Sequence, residues 1–139
     1  MNDKETRKLI LEAFAAANAS DHDALMACLS EDVVHEGTGM PREIGKEKLR
    51  WRLAELMRHF RAEATDIAVM TAPGGLRAAA EFTLSGSYLA AQEAREKNVQ
   101  LSAGVFLEID DDGLISRLTF CYDPERLRAS MQDDDKARK

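Results

Sequence analysis

Apolar residues in the first half of the chain recur at the three- and four-residue spacing of amphipathic helices. The stripe of a first helix, predicted over residues 4–18, consists of Leu9, Ile10, Ala13, Phe14 and Ala17. Ser20 is a suitable capping residue for a short second helix that ends near Leu29. The stripe of a third helix, predicted over residues 46–61, consists of Leu49, Leu53, Leu56, Met57 and Phe60.

The second half of the chain has the alternation and the turn signals of antiparallel strands. Residues 65–89 predict a long hairpin about the turn "PGG" at residues 73–75. A second hairpin is predicted over residues 99–123, about a turn that ends at Gly113. The polar stretch 90–98 between them is predicted to be a surface connection or a single helical turn.

Shorter elements complete the pattern. Val33 and Val34 begin a brief strand, which the three glycines and the proline of "GTGMPREIG" interrupt before the third helix. A last helix is predicted after Pro124, and residues 132–139 are predicted to be a disordered tail. Because no linker or internal repeat divides the chain, residues 1–139 are predicted to form one α+β domain.

Composition narrows the class of protein. The 139 residues are 45% hydrophobic and 32% charged, which indicates a globular domain, and no apolar run is long enough to span a membrane. No secretory signal is visible, so a cytoplasmic protein is expected. The net charge of -6 argues against a nucleic-acid partner. Neither the two cysteines nor the three histidines have the spacing of a metal site, so neither a metal nor a cofactor is expected.

Two short stretches, "EDVVHE" and "RAAAEF", together with the order of the elements, resemble the nuclear transport factor 2-like superfamily. The resemblance is to its ketosteroid isomerase-related and SnoaL-like polyketide cyclase members, and it covers nearly the whole chain. It implies a curved antiparallel sheet wrapped around three N-terminal helices, which together form a cone with a central pocket for a small apolar ligand. It also implies a homodimer through the outer sheet face that carries Glu81, Thr83 and Ser85.

Strand alternation, combined with this resemblance, assigns side chains to the inside of the cone. Phe82 and Leu84 point inward, whereas Glu81 points outward and is not expected to be catalytic. Trp51 and Met57 on the third helix are candidates to close the cone. The ligand-binding residues predicted in this way are Phe14, Val33, Phe82, Leu84, Tyr88, Val105 and Phe120.

His35 is the predicted acid or base of the pocket, and Tyr122 is the predicted hydrogen-bond donor to a ligand carbonyl. An alternative stays open for both: His35 is then a hydrogen-bonded histidine of the pocket wall, and Tyr122 is a packing residue. Glu36 follows His35 directly on a strand, so its side chain is expected to face away. The two residues are therefore not predicted to form a dyad.

The residues that ketosteroid isomerases use do not transfer to this chain. Their base falls at or beside Gly37, their tyrosine near Ala13 and Phe14, and their oxyanion aspartic acid near Val105. In the related limonene epoxide hydrolases an aspartate is needed on the last strand, where this chain has Phe120. Two functions are left open: an enzyme that acts by proton transfer on a small apolar carbonyl compound, and a non-catalytic protein for hydrophobic ligand binding or assembly.

Overall fold

The structure, a computed structural model, describes residues 1–88 and 97–137. Its elements, in chain order, are α1 Asp3–Asn18, α2 His22–Ala27, β1 Leu29–Gly37, β2 Met40–Ile44, α3 Lys46–Met57, β3 Phe60–Thr71, β4 Arg77–Tyr88, β5 Lys97–Ile109, β6 Ile115–Tyr122 and α4 Pro124–Ala137. The two predicted hairpins are confirmed as β3–β4 and β5–β6. The six strands form one curved, unclosed sheet in the order β2-β1-β6-β5-β4-β3.

The concave face of the sheet packs on the N-terminal helices, as the α+β prediction requires. Every neighbouring pair of strands is antiparallel except β1 and β6, which run parallel. The centre of the core is almost fully buried, because α1 and α3 cover the sheet where β1, β5 and β6 meet. Its members with at most 1% exposure are Ile10, Leu29, Val33 and Ile115.

The second helix begins later than predicted, and the third helix ends earlier. Asp21 rather than Ser20 caps α2, and its carboxylate accepts a hydrogen bond from the Ala24 amide at 3.1 Å. Ser20 has a φ of 55° and belongs to the turn between the helices. α3 ends at Met57, four residues before its predicted end, because Phe60 already pairs with β4. Phe60 continues the helical spacing of α3, but strand pairing determines its conformation.

The strand β2 was not predicted. Its segment was interpreted as a break because of its glycines and proline, yet it pairs with β1 at the edge of the sheet. Pro41 is compatible with this position, since an edge strand leaves backbone N–H groups unpaired on one side. The addition of β2 places Glu43 directly across from His35.

Two segments in the second half of the chain were predicted to lack regular strands or helices: the connection 90–98 and the tail from residue 132. Residues 90–96 of the predicted connection lie outside the described residues. Its last two residues, Lys97 and Asn98, begin β5. The helix α4 begins at Pro124 and continues to Ala137, past the predicted start of the tail at residue 132. Within the described ranges, no helix combines the length and the apolar composition that a membrane crossing requires.

Candidate functional site

The predicted alternation of β4 is confirmed by its burial. Phe82 is 4% exposed, whereas Glu81 is exposed on the other face. Around Phe82 lies an aromatic cluster, which consists of Phe14, Phe82, Phe120 and Tyr122. The ring centroids are 5.0 Å apart for Phe14 and Phe82, 6.0 Å for Phe82 and Phe120, and 5.6 Å for Phe120 and Tyr122. Four of the predicted pocket residues therefore meet at one place inside the cone.

The remaining predicted ligand-binding residues have different positions. Leu84 and Val105 are half-buried and pack beside the aromatic cluster. Val33 is completely buried in the central core, where it packs among aliphatic side chains. Tyr88 ends β4, and its side chain lies outside what the structure describes.

His35 is 1% exposed, and its Nε2 lies 3.1 Å from the backbone oxygen of Gly45. Because a carbonyl oxygen can only accept, Nε2 carries a proton and donates it to this hydrogen bond. The Gly45 amide in turn donates to the Val33 oxygen at 2.9 Å. These two hydrogen bonds connect β1 to the residue that precedes α3, and they fix the orientation of the imidazole.

The carboxylate that accompanies His35 is Glu43, its partner across the β1–β2 ladder. Glu36, as predicted, belongs to the opposite face of β1. Arg52 on α3 donates from Nε to the Glu43 carboxylate. This hydrogen bond lowers the pKa of Glu43, and the charges of Arg52 and His35 lower it further, while partial burial opposes them. The sequence reading missed Glu43 because it missed β2.

Tyr122 lies beneath the turn between β1 and β2. Its backbone amide donates to the Thr38 hydroxyl at 3.2 Å, and the Thr38 amide donates to the Phe120 oxygen at 2.9 Å. A Cβ atom built on Gly39 would lie 3.2 Å from the phenol oxygen of Tyr122, so the turn covers this side chain. The structure describes no hydrogen bond of the phenol within residues 1–88 and 97–137.

The ladder register separates His35 from Tyr122. His35 is paired with Leu118 on β6, and Tyr122 follows four residues later. At the usual rise of a β-strand, the two backbone positions are about 13 Å apart along the strand. One small carbonyl group therefore cannot contact both side chains.

An open cleft of about 550 Å³ lies beyond the aromatic cluster, between the ends of α1 and α3 and the strands β3 and β4. The residues that line the cleft are Asn18, Ser20, His22, Met57, Arg61, Ala62, Glu63, Ser85 and Gly86. Met57 is thus one wall of the cleft, as the prediction that it closes the cone suggests, whereas Trp51 is 61% exposed and does not close it.

The cleft continues the inner surface of the cone. Asn18 follows Phe14 by about one helical turn, so the two share a face of α1. Gly86 follows Phe82 by four residues, so the two share a face of β4. A Cβ atom on Gly86 would lie 1.9 Å from the Arg61 oxygen, so β3 passes too close for any side chain there. The cleft therefore lies next to the aromatic cluster along α1 and β4.

Asn18 joins the end of α1 to β3 beside the cleft. Its side-chain amide donates to the Ala64 oxygen at 2.9 Å, and its side-chain oxygen accepts from the Ala64 amide at 2.8 Å. Both hydrogen-bonding groups of Asn18 are thereby used by β3. The polar groups available to a ligand belong to residues at the ends of elements, where no periodic sequence pattern marks them: Ser20, His22, Arg61, Glu63 and Ser85.

Metal ligands do not converge anywhere in the described part of the chain, where no three His, Cys, Asp or Glu side chains form a group that can hold an ion. Cys28 is buried in the core, and this burial raises the pKa of its thiol, with a further contribution from Glu12. Its hydrogen bond to the Ala24 oxygen, at 3.6 Å, identifies it as a packing residue of α2.

Comparison with known proteins agrees with this architecture. Residues 10–118 match the SnoaL-like domain family. No curated protein matches the chain. Three similar solved structures are each described as a polyketide cyclase. The protein from Xanthomonas campestris is 30% identical, with 94% of this chain and 99% of that chain covered and a TM-score of 0.88.

The second structure, from Pseudomonas putida, is 35% identical, with 91% of this chain and 97% of that chain covered and a TM-score of 0.84. The third, from a Silicibacter species, is 36% identical, with coverages of 90% and 93% and a TM-score of 0.81. These relatives span the same domain from end to end. The chain belongs to the SnoaL-like family within the nuclear transport factor 2-like superfamily.

Proposed function

We propose that the protein is a proton-transfer enzyme that acts on a largely apolar carbonyl compound bound in the cone. The observation that carries this proposal is the phenol of Tyr122, a hydrogen-bond donor within the aromatic cluster. A donor in an otherwise apolar chamber can bind a ligand carbonyl. It also stabilises the negative charge that develops on that oxygen when a neighbouring carbon loses its proton.

His35 is the proposed acid or base. The Gly45 carbonyl holds its Nε2, so proton transfer is assigned to Nδ1. Its separation from Tyr122, about 13 Å along the strand, suits an elongated ligand with more than one carbonyl group. A polyketide has this character, and the relatives described as polyketide cyclases support the assignment of substrate class.

The test is the exchange of carbon-bound protons with solvent. 2-Tetralone, an apolar ketone, is incubated with the protein in deuterated buffer, and loss of its α-proton signal is followed by NMR. We expect exchange faster than in buffer alone. Tyr122→Phe should slow the enzymatic rate by about a hundredfold or more, because one oxyanion donor is lost. 2-Tetralone is too short to contact both Tyr122 and His35, so His35→Gln should leave its exchange unchanged. His35→Gln should instead slow the exchange of 4,4′-diacetylbiphenyl, a longer diketone whose second carbonyl group can lie near His35.

The matched control is Cys121→Ala, which alters the adjacent residue on the other face of β6 and should leave the exchange rate unchanged. Because His35 is buried, circular dichroism must show that His35→Gln is folded. Tyr122→Phe removes only one oxygen atom, so it tests the site even if His35→Gln does not fold. Wild-type exchange no faster than in buffer would contradict the catalytic proposal.

A second candidate function is non-catalytic binding of the same class of ligand. The observation that favours it is the pair of hydrogen bonds that places Gly45 between His35 and Val33. In this role His35 is structural: it links β1 to the start of α3 and does not take part in catalysis. Binding of 2-tetralone, seen as shifts of protein NMR signals, without accelerated exchange would support this second function.

The outer sheet face is proposed to join two copies of the chain. It carries Glu81, with the half-buried Thr83 and Ser85, and it also exposes large apolar side chains. Ile44 is 58%, Met70 51% and Phe106 50% exposed. Exposed apolar side chains on one sheet face are typical of a surface that binds a partner, and a second copy is the simplest one.

We expect sedimentation equilibrium at micromolar concentration to give a dimer. Phe106→Glu should shift the equilibrium to monomer, because it places a charge in the centre of the proposed interface. Leu11→Glu is the control, since Leu11 is 43% exposed on α1, away from the sheet face. A monomeric wild-type protein would rule out this assembly.

A further inference from the structure

Glu43 is a half-buried carboxylate beside the proposed acid or base. It pairs with His35 in the β1–β2 ladder, and the adjacent pair, Val34 with Ile44, points to the opposite face of the sheet. Ile44 is 58% exposed, whereas His35 is 1% exposed. Because partners in a ladder point to the same side of the sheet, Glu43 and His35 are neighbours on the inner side, with Cβ atoms about 5 Å apart.

Arg52 holds the Glu43 carboxylate from α3. Its Nε donates a hydrogen bond to Glu43 Oε1, and the two side chains are only 32% and 23% exposed. This hydrogen bond is the largest cause of the lowered pKa of Glu43, so the carboxylate is ionised at neutral pH. A negative charge is therefore fixed beside His35 in the pH range in which histidines titrate.

The other groups around His35 are neutral or positive. Its partner on β6 is Leu118, and its ring donates to the backbone oxygen of Gly45. From α3, the positive charges of Arg52 and the exposed Lys48 act on the Glu43 carboxylate. Among the described residues that pair or hydrogen-bond with His35, Glu43 is thus the only one with a negative charge.

Proton transfer to His35 creates a positive charge that needs a counter-charge. In the proposed reaction a C–H bond of the ligand breaks, its electron pair passes to the enolate, and the proton forms a bond to Nδ1. The ring is then a cation at a site with 1% exposure, where water stabilises it little. An ionised carboxylate within about 6 Å favours this charged form.

We propose that Glu43 is a positioning residue for His35, and that its carboxylate, held by Arg52, stabilises the protonated imidazole during proton transfer. Glu43 acts through His35 and does not contact the ligand. This inference rests on the proposed function only in the catalytic role of His35. The electrostatic coupling of the two side chains does not depend on catalysis.

Glu43→Gln tests the charge with little change of shape, because the amide oxygen can still accept from Arg52. Exchange of 4,4′-diacetylbiphenyl is followed by NMR between about pH 5 and pH 8, where histidines titrate. We expect the acid limb of the rate–pH profile to move to lower pH by about one unit, the effect of one neighbouring charge. The rate above this limb should fall, because the imidazole becomes a weaker base.

Arg52→Gln should have the opposite effect on the profile. It removes a positive charge near His35, so the protonated ring becomes more stable and the acid limb should move to higher pH. Glu43→Asp retains the negative charge and should leave the limb close to its wild-type position. A variant that only loosens the fold slows exchange at every pH and does not move the limb.

Asp23→Asn is the matched control. Asp23 also pairs with an arginine of α3, Arg50, and its replacement changes the net charge of the protein by the same amount. It should leave the profile unchanged. An acid limb at the same pH in Glu43→Gln and in the wild type would overturn the inference, as would an equal movement of the limb in Asp23→Asn.

A pH titration of the His35 ring signals by NMR separates this inference from the proposed function. The signals are assigned by their absence in His35→Gln, and their midpoint should also move to lower pH in Glu43→Gln. Accelerated exchange with an unmoved limb and midpoint removes only the role of Glu43. A moved midpoint without accelerated exchange removes only the catalytic role of His35 and leaves its coupling to Glu43.

Discussion

Phe82→Ala should lower the free energy of unfolding by about 3–5 kcal/mol, the range for removal of a buried phenylalanine side chain. Phe82 is 4% exposed and contacts both Phe14 and Phe120, so a cavity would form at the centre of the aromatic cluster. Equilibrium denaturation in urea, followed by circular dichroism, measures the change. Binding of 2-tetralone should weaken as well.

Two further variants control this result. Phe82→Leu retains most of the volume and should cost much less than Phe82→Ala. Leu11→Ala removes an apolar side chain that is 43% exposed on α1, and it should change stability by at most about 0.5 kcal/mol. If the denaturation midpoint of Phe82→Ala equals that of the wild type, the aromatic cluster is not a packed part of the core.

The second large effect is the absence of an activity. The protein should isomerise a Δ5-3-ketosteroid more slowly than true ketosteroid isomerases by a factor on the order of 10⁴ or more, since each of two missing oxyanion donors costs about a hundredfold. Phe14 and Val105 occupy the corresponding inner surface and donate no side-chain hydrogen bond. A spectrophotometric assay with 5-androstene-3,17-dione measures the rate. Rapid turnover that disappears in His35→Ala would contradict this expectation.

The missing base cannot be restored at Gly37. A Cβ atom at this position would lie 2.2 Å from the backbone oxygen of Phe120, its partner on the parallel strand β6. Gly37→Asp should therefore destabilise the fold rather than create activity. Gly104→Ala serves as its comparison, because a Cβ atom at Gly104 meets the Ala80 oxygen at an ordinary 3.5 Å.

The faces of the long strands could be predicted from the sequence because burial repeats every second residue. Phe82 and Glu81 lie on opposite faces as alternation requires, and a shift by one residue would bury Glu81. The two hairpins were equally clear, since glycine-containing turns separate their strands. Alternation alone is therefore enough to assign Phe82 to the inner face of the sheet.

The rest of the site depends on contacts between distant residues. The strand β2 contains a proline and follows a glycine turn, and only its pairing with β1 makes it a strand, so Glu43 could not be placed beside His35. Phe60 continues the spacing of a helix but is held by β4. The cleft is formed where four elements end, and no repeating pattern marks such residues.

The parallel pairing of β1 with β6 has a consequence for folding. Ser30 bonds to the oxygen of Ile115, 85 positions later in the chain, so the strand that carries His35 gains this neighbour only after almost the whole chain is synthesised. Contacts so distant in sequence slow folding to the millisecond-to-second range. Until β6 docks, β1 presents an unpaired edge to other nascent chains, an opportunity for aggregation. A chain that stops before β6 should accumulate in inclusion bodies rather than as a smaller folded domain.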